Sequence, residues 1–308
     1  MLVDFGADHA FGQVPDKLKE HYGIVLCVST IRHLTEHHAQ QVSTAQALDK
    51  PVPYPTHAGS ARLILETDGS MIPIVTVDAD APDKRKHKTE SWKEARLCLA
   101  HEHGKTQVHF GGAFQESVDT VGNIMFHTAC QAGFGRQTYL HAVGDGAVWL
   151  ADQVETQFGD QGHYLLDFYH ACEYLGDAAA VCAGDTGKTP WLEQQKMDLK
   201  QGRSREVLDR LTPFLAQPAA NGQESPALAC HRYLSNRLTQ LDYPRARALG
   251  LPIGSGEIES AHRYVIQKRL KLSGAWWKED NAKNMLALRI LRANHGWGSY
   301  WGNLREAA

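Results

Sequence analysis

The chain has 308 residues, 43% apolar and 22% charged, with a formal net charge of −3. This composition excludes a wholly disordered polymer, a collagen repeat and a coiled-coil rod, and the length allows one large domain or two moderate ones. The longest apolar runs, IVLCV from Ile24 and LLDF from Leu165, fall far short of the roughly 20 residues that span a membrane.

The first twelve residues, MLVDFGADHAFG, have no basic start and no long apolar core. A cytoplasmic protein with no membrane partner is therefore expected. Six cysteines at 27, 98, 130, 172, 182 and 230 form no C-x-x-C pair, which argues against a Cys-only zinc site or a disulfide framework. Charge is uneven along the chain. His231 to His295 holds 12 Lys and Arg against 5 Asp and Glu, a net of +7, and the remainder carries −10. Such a block attracts phosphates locally, or simply solvates a helical face.

In chain order, residues 1–12 show no periodic pattern. PDKLKEHYG (15–23) reads as a short helix closed by Gly23, and VSTIRHLTEHHAQQV (28–42) as a second, with Ser29 as its expected N-cap. Two short helices joined by GIVLC suggest either a plain helical hairpin or a helix-turn-helix over residues 1–48. In the second case Arg32, His33 and His37 would face DNA. Residues 49–59 hold three prolines and read as a linker. ARLILET (61–67) reads as a strand, Asp68-Gly69 as a tight turn and MIPIVTV (71–77) as the returning strand. A charged loop, 81–91, leads to strands at 92–102 and 106–114.

A helix over 116–133, a strand ending in Gly-Asp-Gly at 144–146, a helix over 147–158 and a strand from 162 into the helix from His170 follow. Residues 60–182 thus read as hairpin-joined strands followed by α-β-α-β-α, which is the pattern of a mixed sheet with flanking helices. Residues 183–250 read as an all-helical insertion cut by Pro226 and Pro244. Residues 251–308 open with a new helix after Gly256.

Two motifs fail on inspection. GDTGKTP (184–190) lacks the first glycine of a phosphate loop, because Cys182 stands there. HEHGK (101–105) spaces its histidines two apart, where a zincin helix needs four. Acidic residues at element ends are more informative. Asp68 and Asp145 are expected at strand ends, with Glu257 and Glu259 opening a helix. Singly these are a turn residue, a helix cap and helix-dipole partners. Together they are a set of oxygen ligands for hard divalent metals, in which two ions clamp the attacking and leaving oxygens of phosphoryl transfer. Glu257 and Glu259 point to nearly opposite sides of a helix, so spacing alone does not choose between them.

GDGAVWL, LDFYHACEYL and the long block YLSNRLTQLDYPRARALGLPIGSGEIESAHRYVIQKRLKLSGAWW resemble insertion-sequence transposases of the ISKra group. These are DDE enzymes with a ribonuclease H-like core, distantly similar to Mutator-like enzymes. The resemblance runs from about Val14 to Trp301. It implies that Asp68, Asp145 and Glu259 are the catalytic, metal-binding residues. Asp167 and His170 in DFYH would shape the site, possibly at the target phosphate. The implied cofactor is Mg2+, two ions, with Mn2+ as a substitute. The implied partners are double-stranded DNA, both the element's terminal inverted repeats and the target, and further copies of the chain as a homo-oligomer on DNA. Relatives often carry a longer segment before the helix-turn-helix, which makes weakened end recognition an expectation for this copy.

The expected activity is DNA cleavage at an element end followed by strand transfer. Arg263, Lys268, Arg269 and Lys271, following Glu259, would track the DNA backbone. Trp276 and Trp277 would either stack on a frayed base or close a helix against the core. Two alternatives remain open, namely a non-catalytic DNA-binding remnant of a decayed element and a stand-alone ribonuclease H-like nuclease.

Overall fold

The computed structural model describes residues 1–47, 52–77, 88–216 and 224–306. The chain divides into two compact units, Met1–Thr138 with Gly256–Ala308, and Tyr139–Ser255. The architecture is mixed α/β. Its five strands are antiparallel in the first unit and parallel in the second, and helices flank them. No helix among the described residues is long and apolar enough to cross a membrane.

The first unit begins with α1 (Leu2–Asp8), α2 (Val14–Tyr22) and α3 (Val28–Gln46). Ile31, Thr35, Ala39 and Val42 form the buried stripe of α3, the spacing an amphipathic helix needs. Three strands follow, β1 (Arg62–Val77), β2 (Lys88–Glu102) and β3 (Val108–Phe114), and then α4 (Val118–Gln131), whose first turn is capped by Ser117. The unit ends with α10 (Gly256–Ala261), a π-helical turn (His262–Gln267), α11 (Lys268–Leu270), α12 (Glu279–Ala293) and α13 (Trp297–Glu306).

Alternation along the strands sends Ile72, Ile74, Leu97 and Leu99 to one face, where they pack with Ile258, Val265, Leu270 and Leu286. Helix α4 covers the other face. A Cβ on Gly111 would collide with Thr128 and Ile124 of α4, and one on Gly112 would meet Ile290 of α12 at 2.6 Å. Two consecutive glycines therefore let helices press on β3 from both sides.

The expected turn at Asp68-Gly69 does not form. β1 runs straight through it, with Asp68 opposite Leu97 and Gly69 opposite Arg96. A two-residue Asp-Gly turn of type I′ requires positive φ at both positions, and neither residue has it. The two-residue period continues unbroken from Ile64 to Ile74, so both expected strands are halves of one strand paired with β2. Of the expected charged loop at 81–91, residues up to 87 lie outside the described set, and 88–91 already belong to β2.

Residues 2–8, in which the sequence shows no pattern, are helical because their partners are distant. Arg289 is 6% exposed. Its Nε donates to the Val265 carbonyl, its Nη2 to that of Tyr264, and its Nη1 pairs with Asp8. Arg292 pairs with Asp4 and Asp8.

Arg269, expected on the DNA, is 2% exposed. Its Nε donates to the Gly6 carbonyl at 3.0 Å, and its guanidinium lies between the rings of Phe11 and Trp277. Burial and the nearby Arg289 push its pKa down to about 10, so it keeps its charge at neutral pH. Trp277 is buried against Leu270 and bridges to Ile74 of β1, whereas Trp276 stays partly exposed beside Trp92. Of the two readings of this pair, core closure describes Trp277.

The second unit holds β4 (Tyr139–Gly144), α5 (Val148–Phe158), β5 (Gly162–Leu166), α6 (Phe168–Lys200), α7 (Ser204–Leu211), α8 (Pro226–Ser235) and α9 (Tyr243–Ala248). β4 and β5 pair in parallel from Leu140↔Gly162 to Gly144↔Leu166. α6 is broken at Gly184, where φ is +65° and ψ 171°. Among the described residues, 183–250 contain no strand.

Two expectations follow. Arg289→Ala strips partners from Asp8 and from two buried carbonyls, and should destabilise the first unit by about 3 kcal/mol or more. A lower urea midpoint at unchanged slope would show it, and an unshifted midpoint would refute it. Cys27 is exposed, and the hydroxyls of Ser29 and Thr30, each 3.1 Å from its sulfur, lower its pKa to about 7. Burial raises Cys98, Cys130, Cys172 and Cys182 to about 11 and Cys230 to about 12. Iodoacetamide at pH 7.5 should therefore alkylate Cys27 first. Peptide mass mapping reads the order, and earlier labelling of any other cysteine contradicts it.

Candidate functional site

In the first unit, Glu66, Asp68 and Ser70 alternate onto the same face of β1 as Ile72 and Ile74. Glu66 is buried, and its Oε2 accepts the Ile258 amide of α10 at 2.8 Å. It satisfies one of the bare amides at a helix start.

His101 of β2 stands beside it. Its Nδ1 lies 3.0 Å from the Glu102 carbonyl and its Nε2 3.0 Å from Glu257 Oε2. Both nitrogens must donate, which favours the imidazolium. Burial works to lower its pKa, but the bond and charge of Glu257 outweigh burial and leave it raised. Glu257 in turn is held below the usual carboxylate range by His101.

Asp68 is 40% exposed at its side chain. Its Oδ1 accepts the Gly69 amide at 2.7 Å. His262, 3% exposed, sits against it, with Nε2 3.2 Å from the Asp68 carbonyl and 3.6 Å from its Oδ2. Burial lowers the His262 pKa against the opposing pull of Asp68. The ring is therefore neutral at pH 7, with the proton assigned to Nε2 by its acceptor. Nδ1 has no hydrogen-bond partner among the described residues.

Glu259 is exposed and lies three residues before His262, a spacing that brings two side chains to one side of a helix. Glu257 is turned to the other flank, toward His101. Lys271 Nζ reaches the Ser70 hydroxyl at 3.5 Å. The expected single helix from Glu259 to Lys271 is in fact α10, a π turn and α11, which ends at Leu270.

In the second unit, Asp145 directly follows β4 and is exposed. Its Oδ1 accepts the Ala147 amide at 2.9 Å, an Asx turn leading into α5. Asp167 is 1% exposed. One of its oxygens caps α6 through the amides of Tyr169 (2.6 Å) and His170 (3.2 Å), and the other accepts the Ser255 amide (2.6 Å) and hydroxyl (2.5 Å). With four bonds at hand, Asp167 fixes the start of α6 and is not open to a phosphate. His170 is half-exposed, with Nδ1 3.3 Å from Glu173.

Among the expected DNA contacts, Arg32, His33, Arg263, Lys268 and Lys271 are exposed. Arg269 is the exception, since a guanidinium caged between two rings presents no surface to DNA. Sequence reasoning missed Glu66, His101 and His262. An acid on the apolar face of RLILETD and a histidine on the Ile258/Ala261/Val265 stripe were the available signals.

The exposed carboxylates are hard oxygen donors. Mg2+ keeps several waters and binds through one or two carboxylates plus substrate phosphates, so open carboxylates of this kind suit it. No group of three His, Cys, Asp or Glu side chains that could hold a metal gathers among the described residues, so a closed cage of the zinc type is not what they offer.

No family model matches the chain. A protein of Streptococcus gallolyticus, described as a UPF0236 protein in the vanSb 3′ region, is 28% identical over 171 residues, 54% of this chain. The match spans only 36% of that relative's length. Among solved structures, NurA bound to dAMP and manganese aligns over 88% of this chain and 63% of its own, at 14% identity and a TM-score of 0.12. A second NurA structure aligns over 91% and 63%, at 13% identity and a TM-score of 0.13. Alignments at these scores carry no argument about fold or activity.

Proposed function

We propose that the protein cuts and joins DNA strands as an insertion-sequence transposase of the DDE class, with Asp68, Asp145 and Glu259 acting together. The observation that carries the reading is the buried His262 held against Asp68, which sets the Glu-bearing helix over that strand position. Glu259 falls on the His262 side of the helix, while Glu257 is engaged by His101. This supports Glu259 as the third carboxylate. The order of elements, three antiparallel strands, a helix, then two parallel strands each followed by a helix, supports a ribonuclease H-like core.

In the first reaction a water oxygen attacks the phosphorus at an element end, and the bond to the 3′ oxygen breaks, leaving a 3′-hydroxyl. In the second that hydroxyl attacks a target phosphodiester and displaces its 3′ oxygen. Divalent cations such as Mg2+ or Mn2+, when bound, lower the pKa of the attacking oxygen and neutralise charge on the leaving one. The neutral His262 donates to the Asp68 carbonyl and fixes its backbone. The cations of Arg263, Lys268 and Lys271 hold the flanking phosphates without reading sequence. Arg32 and His33 on α3 would read the element ends.

Duplex DNA carrying the element's own ends, incubated with Mg2+, should be nicked and joined to a target. Asp68→Asn, Asp145→Asn and Glu259→Gln should each abolish both products, while Glu257→Gln retains them. Undiminished cleavage by Asp145→Asn would sink the proposal. Binding without cleavage would indicate the non-catalytic remnant, and cleavage without joining the stand-alone nuclease.

The cations have their own test. Each phosphate neutralised contributes about −0.9 to the slope of log affinity against log salt, so Lys268→Ala with Lys271→Ala should flatten that slope by about 1.8 on any sequence. An unchanged slope means that DNA does not pass these residues.

A further inference from the structure

The loop that bears Asp145 is gripped by its main chain. The Gly146 amide donates to the Tyr164 hydroxyl at 2.9 Å, the Tyr233 hydroxyl donates to the Asp145 carbonyl at 2.6 Å, and Arg237 Nε donates to the Gly146 carbonyl at 2.8 Å. The gripping residues hold one another as well. Arg237 Nη1 donates to the Tyr233 carbonyl at 2.9 Å, and its guanidinium lies 4.2 Å from the centre of the Tyr233 ring. Tyr233 also stacks on Tyr174, with centroids 3.9 Å apart and planes at 12°. Gly146 has φ +85°, and a Cβ there would meet Leu166, Arg237 and Tyr233 within 3 Å. No other residue type fits this turn between β4 and α5.

Tyr233 lies in α8, and Arg237 two residues beyond its end. Both belong to the helical stretch that interrupts the order of strands and helices, and neither is needed to close the β4–β5 pair. Every bond they make to the loop falls on the peptide units that carry Asp145, none on its carboxylate. A carboxylate is only as well aimed as its backbone, and productive geometry tolerates about 0.5 Å of error.

We infer that Tyr164, Tyr233 and Arg237 are positioning residues for Asp145, and that the helical stretch carrying the last two serves to fix the direction of that carboxylate. This rests on the reading of Asp145 as catalytic. Groups one step removed from a reacting site typically change activity by about 10- to 100-fold when altered. Because these three touch the loop and not DNA, the loss should appear in kcat, with KM for DNA unchanged. Burial also pushes the Tyr164 and Tyr233 hydroxyls well up, which keeps them protonated donors across the working pH range.

The test compares Tyr164→Phe, Tyr233→Phe, Arg237→Leu and Arg237→Lys with Arg232→Gln, a control on the same helix whose side chain pairs only with the exposed-edge Glu224. Hydrogen exchange of residues 144–147 in the free protein and metal-dependent nicking are both measured. The expected result is faster exchange at the Gly146 amide in Tyr164→Phe, faster exchange across the loop in Tyr233→Phe, and kcat lowered about 10- to 100-fold in both. Arg237→Lys should recover part of what Arg237→Leu loses. Unaltered exchange in both Phe variants overturns the inference, as does full kcat in both. A wild-type protein that nicks no DNA overturns the functional reading instead, and exchange alone then decides whether the three residues brace the loop.

Discussion

A guanidinium removed from water must find acceptors or it destabilises the fold. Arg269 and Arg289 meet that requirement with the last turn of α1, and the rest of the first unit is arranged around the pairing. The carbonyls of Gly6 and Ala7 lie at a helix end, where no amide of α1 can reach them, and the two arginines supply the missing donors. Phe11 and Trp277 wall in the first guanidinium, and the carbonyls of Tyr264 and Val265 anchor the second. The opening residues of the chain and the helix that bears Glu259 are therefore parts of one folding unit.

This pairing also changes how the charge of the C-terminal block reads. Of its 12 Lys and Arg, Arg269 and Arg289 are inside the core, Arg292 is tied to Asp4 and Asp8, and Arg237 grips a backbone loop. Composition counts them all alike, but only those whose heads reach solvent can meet a phosphate. The cations open to DNA near Glu259 come down to Arg263, Lys268 and Lys271.

Much of the fold was legible because its signals are local. The stripe of α3, the Ser117 cap of α4 and the Gly-Asp-Gly at the end of β4 each announce themselves within a few residues. What was not legible depends on distance in sequence. α1 is helical because of residues more than 250 positions away. β1 passes straight through an Asp-Gly pair because β2 offers it a continuous partner. At the site, the carboxylate positions could be named from the sequence, whereas Glu66, His101 and His262 could not. Their roles appear only when β1, β2 and α10 lie side by side. The brace on Asp145 was hidden for the same reason, since Tyr164, Tyr233 and Arg237 have no common pattern.

The π turn has a consequence of its own. At Lys268 the amide bonds back five residues to Arg263, so the stretch from His262 holds one residue more than an α-helix would over the same path. A chain shorter by one residue here would not break the helix. It would close into ordinary α-helix, and everything after it would swing by about 100° relative to Glu259. Arg269 would leave its cage, and Lys268 or Leu270 would be carried toward it. One inserted amino acid thus acts as the phase setting between the half of the helix that faces the chemistry and the half that holds the N-terminus. Such a segment can accept many changes of side chain but no change of length.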